Sequence, residues 1–189
     1  MNPSEIVEAP QKYKYHDVNG QYIVFKKKEN GDFMHLAIKM KDQTYYIDEI
    51  SMSQNAPYDA DMIFYYPISF LGKDIVEVRG IMGANYSPTL FIAIESSKPE
   101  ILLKTEGPVF HYDFDKDGTK EVVSSYGTAA QTDFFKYVDG QFLKVNINDA
   151  LGAEAVHFNE GTGIFEAYLK NKETHKYEYT KNGLKQIDQ

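Results

Sequence analysis

The sequence predicts an all-β protein made of repeated groups of four antiparallel strands. Three observations carry this expectation. Aromatic residues are 14% of the chain, with 15 Tyr, 12 Phe and no Trp, and such side chains favour pleated, half-buried surfaces. Four dipeptides, Asn19-Gly20, Asn30-Gly31, Asp139-Gly140 and Asn182-Gly183, lie between apolar or alternating runs, the strongest short-range hairpin signal. Finally, Gly118 to Gly161 and Gly140 to Gly183 are both spacings of 43 residues, which points to a repeat.

Taken from the start, residues 1–12 read as a polar, Pro-containing tail. Residues 13–52 form the most diverged repeat, with strands at Gln21 to Lys26 and Phe33 to Met40. In the second of these Met34, Leu36, Ile38 and Met40 alternate onto one face. Residues 53–66 read as a connection, because Gln54-Asn55-Ala56-Pro57-Tyr58 is polar and carries a proline. Three further repeats follow, at 67–107, 108–152 and 153–189.

The repeat at 67–107 has strands at Ile75 to Arg79 and Thr89 to Ile94, and the repeat at 108–152 has strands at Phe135 to Val138 and Phe142 to Ile147. Helical periodicity is weak, and Asp149 to Val156 is the best candidate for a short helical turn. Each repeat holds about four strands in roughly 40 to 45 residues, the size of a propeller blade. The expectation is about four blades, with ring closure left open. A β-sandwich or barrel is the alternative, since any meander with regular hairpins aligns weakly with itself.

Composition excludes several chemistries. A net charge of -8 and a pI near 5.1 argue against nucleic acid or an anionic membrane surface as the main partner. The absence of cysteine removes disulfides, thiolate nucleophiles and zinc-thiolate sites. No run approaches the roughly 18 apolar residues of a membrane helix.

One segment carries a motif with a chemical mechanism: Asp113-Phe114-Asp115-Lys116-Asp117-Gly118-Thr119-Lys120-Glu121-Val122. Calcium takes roughly six to eight oxygen ligands, and a tight loop supplies them when alternate carboxylates point to one centre. Asp113, Asp115 and Asp117 are so placed, Gly118 permits the turn, Thr119 offers its backbone carbonyl and Glu121 a further carboxylate. Ser124 stands where an EF-hand has its bidentate Glu, and the exit is a strand instead of a helix, so the EF-hand reading is poor. The competing reading is a solvated acidic turn whose Asp side chains cap backbone N–H groups.

This motif resembles the FG-GAP or VCBS-type repeat of integrin-like β-propellers, whose loops bind calcium. The resemblance implies ligand roles for Asp113, Asp115, Asp117, Thr119 and Glu121, and a site that stiffens a blade. The other repeats depart from it: Phe70-Leu71-Gly72-Lys73-Asp74 and Phe158-Asn159-Glu160-Gly161 lack the carboxylate ladder.

No catalytic motif stands out. The histidines His16, His35, His111, His157 and His175 show no zinc spacing, and no Gly-x-Ser-x-Gly elbow exists. Gly80-Ile81-Met82-Gly83-Ala84-Asn85 reads as a strand connection, lacking the third glycine and the helix of a phosphate loop. The pairs Tyr45-Tyr46 and Tyr65-Tyr66 put one ring on each strand face, leaving a ring to stack on a ligand such as a sugar. The resulting expectation is a non-enzymatic, calcium-stabilised interaction domain of an exported or surface-anchored bacterial protein, such as a lipoprotein, with a protein or glycan partner and an open oligomeric state. The alternative is a hydrolase of glycosides or phosphoesters using carboxylates such as Asp59, Asp61 or Glu77.

Overall fold

The structure, a computed structural model, describes residues 6–14, 20–27, 32–52, 63–70, 72–83, 85–95 and 98–187. It is all-β, with four four-stranded antiparallel sheets, none of them closed on itself, in which strands follow one another in chain order. The first sheet holds β1 (Ile6–Lys14), β2 (Gly20–Lys27), β3 (Phe33–Met40) and β4 (Gln43–Met52), and the second β5 (Phe64–Phe70), β6 (Lys73–Arg79), β7 (Thr89–Glu95) and β8 (Lys98–Thr105). The third holds β9 (Val109–Tyr112), β10 (Glu121–Tyr126), β11 (Gln131–Val138) and β12 (Gln141–Asn146). The fourth holds β13 (Ala153–Asn159), β14 (Ile164–Leu169), β15 (Thr174–Thr180) and β16 (Gly183–Ile187). The chain divides into two compact units, Met1–Lys104 and Thr105–Gln189.

In the first unit the alternation of β3 does what it predicts. Met34, Leu36, Ile38 and Met40 are buried together in one core. The same core takes Tyr22 and Val24 from β2, Val76 and Val78 from β6, and Leu90 and Ile92 from β7, so two sheets share it. The other face of β3 is covered as well: His35 is buried, lies against Phe25 at 5.5 Å between ring centres, and shares a 3.1 Å hydrogen bond from Nδ1 with the Tyr46 hydroxyl.

Strand limits differ from the sequence expectation near Pro10 and Pro67. Residues 6–12, expected as tail, belong to β1, which pairs with β2 from Ile6↔Lys27 to Lys14↔Gln21. The register shifts between Glu8 and Gln11, around Pro10. β5 likewise starts at Phe64, inside the expected connection, and contains Pro67. Both are outer strands of their sheets, where a missing N–H leaves no ladder bond unmade. Proline and the register shifts break the alternation that makes a strand readable.

Gly80 to Asn85 links β6 to β7 as a strand connection. Gly80 is required by close approach: a Cβ there would sit 1.5 Å from the Ile50 carbonyl oxygen. Next to it the Ile81 carbonyl accepts from Met52 N at 2.9 Å and Ser51 Oγ at 2.7 Å, tying this connection to β4.

In the second unit the helical turn is α1, Ile147–Leu151, and by residue 153 the chain is already in β13. The expected span Asp149 to Val156 starts too late because the Asn146 side chain caps the helix by accepting from Asp149 N, while Gly152 in the left-handed region ends it. The two sheets of this unit are joined by a buried polar seam. Thr132 Oγ1 donates to the Val156 carbonyl at 2.6 Å, and Val156 N donates to the Ala130 carbonyl at 2.8 Å. Asn148 accepts from Thr132 N at 2.9 Å and donates to the Ala130 carbonyl at 3.0 Å. Beneath it, Phe114, Val123, Phe134, Ile147, Val156 and Phe165 form one core.

The two copies overlay in strand order but not at every turn. Gly140 and Gly183 both have positive φ, 89° and 99°. Gly118 has φ 88°, whereas its 43-residue counterpart Gly161 does not, and Gly163 takes the positive φ of 71° instead. The loop after β9 is longer: Tyr112 pairs with Glu121, while Asn159 pairs with Ile164.

The geometry predicts two very different costs for adding one methyl group. Gly80→Ala drives a Cβ into backbone and is expected to cost more than about 4 kcal/mol. Gly72→Ala, which meets no atom within 4 Å and has φ 71°, should cost about 1–2 kcal/mol. Urea denaturation of both variants checks the contrast, and equal costs would refute it.

Candidate metal centre

The acidic loop, residues 113–120, spans β9 and β10, and one buried ring holds it down. Phe114 sits between two carboxylate residues yet turns into the core of the second unit, where its ring lies 5.6 Å from Phe134 and 5.6 Å from Phe165. Asp113 and Asp115 flank it, outside the core cluster that takes its ring. Backbone amides fix them: Gly118 N donates to Asp113 Oδ2 at 3.1 Å, Asp117 N to Asp115 Oδ1 at 3.3 Å, and Thr119 N to Asp117 Oδ1 at 2.7 Å. The left-handed Gly118 completes the turn.

Asp113, Asp115 and Asp117 converge, each offering a carboxylate oxygen within 4.8 Å of the others'. Glu121, at the start of β10, is almost wholly buried. Its Oε2 accepts the Phe114 N–H at 3.0 Å, closing the loop. Thr119 contributes its N–H to Asp117.

The sequence reading missed Lys136 on β11. Its ammonium hydrogen-bonds Asp115 Oδ2 and lies 3.3 Å from Asp117 Oδ2 and 3.2 Å from Glu121 Oε1. The signal was present but needed the strand register. Val122 pairs with Phe135, which places Lys136 opposite Glu121, at the rim of the face carrying Val123 and Phe134.

The charges shift one another accordingly. The Asp115 hydrogen bond holds the Lys136 ammonium well above its ordinary range, against burial and with help from Glu121 and Asp117. Asp117 is held below the usual carboxylate range, first by the Thr119 N–H and then by Lys136. Burial pushes Glu121 upward, and the Phe114 N–H and Lys136 only partly offset this.

The donor set suits a hard cation. All the side-chain ligands are oxygens, three carboxylates converge, and Asp113 Oδ1 is buried without a hydrogen-bond partner. Such oxygens fit calcium or magnesium. The same carboxylates also cap backbone N–H groups, as the solvated-turn reading expects, so both roles fall on one set of side chains.

The other expected residues lie elsewhere. Asp59 and Asp61 fall outside the described residues, while Glu77 is buried and ion-paired with Arg79. His157 is exposed and meets Tyr168 edge-on. Tyr45 and Tyr65 pack against the core while Tyr46 and Tyr66 are exposed, one ring to each face. The exposed rings are engaged: Tyr46 with His35, and Tyr66 beneath the Arg79 guanidinium at 5.1 Å. No helix among the described residues is long and apolar enough to cross a membrane. No family model, curated protein or solved structure matches this chain.

Glu121→Gln tests the electrostatics. A raised carboxyl holds its proton in the folded state after the unfolded chain has released it. Its contribution to stability is therefore full below the ordinary carboxylate range and is lost as pH rises through its folded value. In chelator at pH 7, Glu121→Gln should raise the melting temperature, and the gain should vanish near pH 4 as the native carboxyl takes up its proton. A melting temperature lowered equally at both pH values would overturn the assignment.

Proposed function

We propose that this protein is a non-enzymatic, propeller-like interaction domain whose acidic loop is stiffened by calcium, and that it works at the exterior of a bacterial cell. The carrying observation is the convergence of Asp113, Asp115 and Asp117 within 4.8 Å. The motif's resemblance to calcium loops of FG-GAP or VCBS repeats supports the choice of ion. Glu121 and the Thr119 carbonyl complete the proposed set. A site of this kind, built on a single short loop, suits calcium at the concentrations found outside cells. Calcium here supplies charge neutralisation and fixed loop geometry, with no role as a Lewis acid. The partner in this reading is a protein or glycan carried by loops that the sheets hold rigid.

Lys136 has a defined part in the proposal. Its ammonium already pairs with Asp115, Asp117 and Glu121, so a divalent ion entering the loop competes with it for the same oxygens. The lysine acts as a tethered counter-ion that keeps the carboxylates together at low calcium.

Thermal melts with increasing calcium test both statements. At a hundredfold excess over the dissociation constant, native protein should gain about 2.7 kcal/mol. The Asp115→Ala, Asp117→Ala double variant should gain nothing. Lys136→Met should be less stable in chelator and bind calcium more tightly. Equal gains in native protein and the double variant would remove the ligand assignment, and unchanged affinity in Lys136→Met would remove the competition.

A further inference from the structure

A cavity of about 540 Å³ lies between the two sheets of the second unit. β11 and β12 supply Phe134, Lys136, Val138, Leu143 and Val145 to its wall, and β15 and β16 supply Tyr179 and Leu184. Phe134 pairs with Val145 and Lys136 with Leu143, and residues paired in this way share one face of a sheet. From Phe134 to Val138 the wall follows roughly 13 Å of strand. Phe134 and Ile147 are buried, whereas Leu143 and Val145 are each 48% exposed. The space therefore leads from an open apolar mouth to a closed floor.

Charge narrows what this space would take. Among the described residues that line it, Lys136 alone is charged, and what it lends is its stem. β11 lies between β10 and β12, and the ammonium is drawn toward the start of β10, where Asp115, Asp117 and Glu121 engage it. A lysine borders apolar space in this way, with its methylenes on the wall and its head elsewhere. The neighbouring lysines do not alter the balance. Lys116 and Lys120 belong to the acidic loop and line no part of the cavity. Lys144 faces the other side of β12, where it pairs with Asp133 at 2.7 Å and lies over the Phe135 ring. A charged ligand of either sign would lose its hydration here and find no unpaired charge in exchange.

One polar group on the wall is unspent. Tyr179 stacks on Phe134 at 4.3 Å between ring centres, and its hydroxyl makes no hydrogen bond with any described residue. That hydroxyl feels the charges of Lys136, Glu121 and Asp115, which puts it on the loop side of the cavity. A single free hydroxyl in an apolar wall selects one neutral hydrogen-bonding group on a ligand. Depth narrows the occupant further. A flat partner surface would stop at Leu143 and Val145, whereas a narrow chain reaches the buried floor at Phe134 and Ile147.

We propose that this cavity binds an uncharged amphiphile, a hydrocarbon chain with one hydroxyl or carbonyl group, the chain lying along β11 and the polar group hydrogen-bonded to the Tyr179 hydroxyl. Burial of the chain supplies affinity, and the apolar wall excludes charged relatives of the same ligand. This small-molecule site goes beyond the interaction-domain reading. It requires no ion, so its test is run in chelator, where its failure leaves the calcium result standing.

The test is a methyl NMR titration of the full chain with n-octanol, octanoate and n-octylamine. The expected result is saturable shifts of the Leu143, Val145, Leu151 and Leu184 methyls with octanol, and at least about tenfold weaker binding of both charged probes. Tyr179→Phe keeps the stacked ring and should weaken octanol binding about fivefold. Ala150→Phe adds a ring from an exposed position of α1 that reaches the cavity. It should abolish the saturable shifts without lowering the melting temperature. Val145→Thr, which keeps strand propensity, should weaken octanol binding with the fold intact, separating a lost contact from lost folding. No saturable shifts, equal binding of either charged probe, or undiminished binding in both Ala150→Phe and Val145→Thr would overturn the proposal. Undiminished binding in Tyr179→Phe would remove the hydroxyl contact. Shifts of the same methyls on concentrating the protein alone would give the cavity to a second copy and overturn the small-molecule assignment.

Discussion

The geometry of the acidic loop depends on the burial of Phe114. The ring is inserted among Phe134, Phe158, Phe165 and Tyr179, with centroid distances of 5.6 to 5.9 Å, and its own N–H is bound by Glu121. The loop is thus fastened at one residue by both side chain and backbone. Fixing it there leaves the flanking carboxylates no freedom to separate, although their charges repel. Aromatic packing therefore brings like charges close, and the backbone amides of Asp117, Gly118 and Thr119, with the Lys136 ammonium, reduce the cost.

Glu121 and Lys136 show how the sheet manages charge at the edge of its apolar face. Both lie one step beyond core residues of their strands, Val123 and Phe134, on the same side. A buried carboxylate at such a place is costly unless paired. Here one oxygen takes an amide proton and the other faces an ammonium whose stem can lie along the apolar wall. The pair marks where the core stops and the acidic surface of the loop begins, and the same lysine borders a cavity lined by Phe134, Leu143 and Tyr179.

What could be read in the sequence depended on how local its cause was. The face of β3 was legible because alternation is a property of neighbouring residues, and Met34, Leu36, Ile38 and Met40 are buried together. The convergence of Asp113, Asp115 and Asp117 was legible for the same reason, since three carboxylates two residues apart around one glycine have few ways to point. Lys136 was not, because it meets the loop only through the pairing of β10 with β11, and a slip of one residue would have turned it away. α1 was displaced because its cap, Asn146, sat at the end of what looked like strand. β1 was hidden by Pro10 and the register shifts around it.

The polar seam between the last two sheets has a consequence for how this part of the chain comes apart. Ala130 lends one carbonyl to both Val156 and Asn148, and Thr132 is held from both sides by Asn148 and Val156. Neither sheet can open without stripping buried groups that water reaches only after the core has separated. Local fraying at this line is therefore nearly as costly as unfolding the whole unit. The shared seam and core couple the two repeats, which are alike in strand order, so that opening one exposes buried groups of the other.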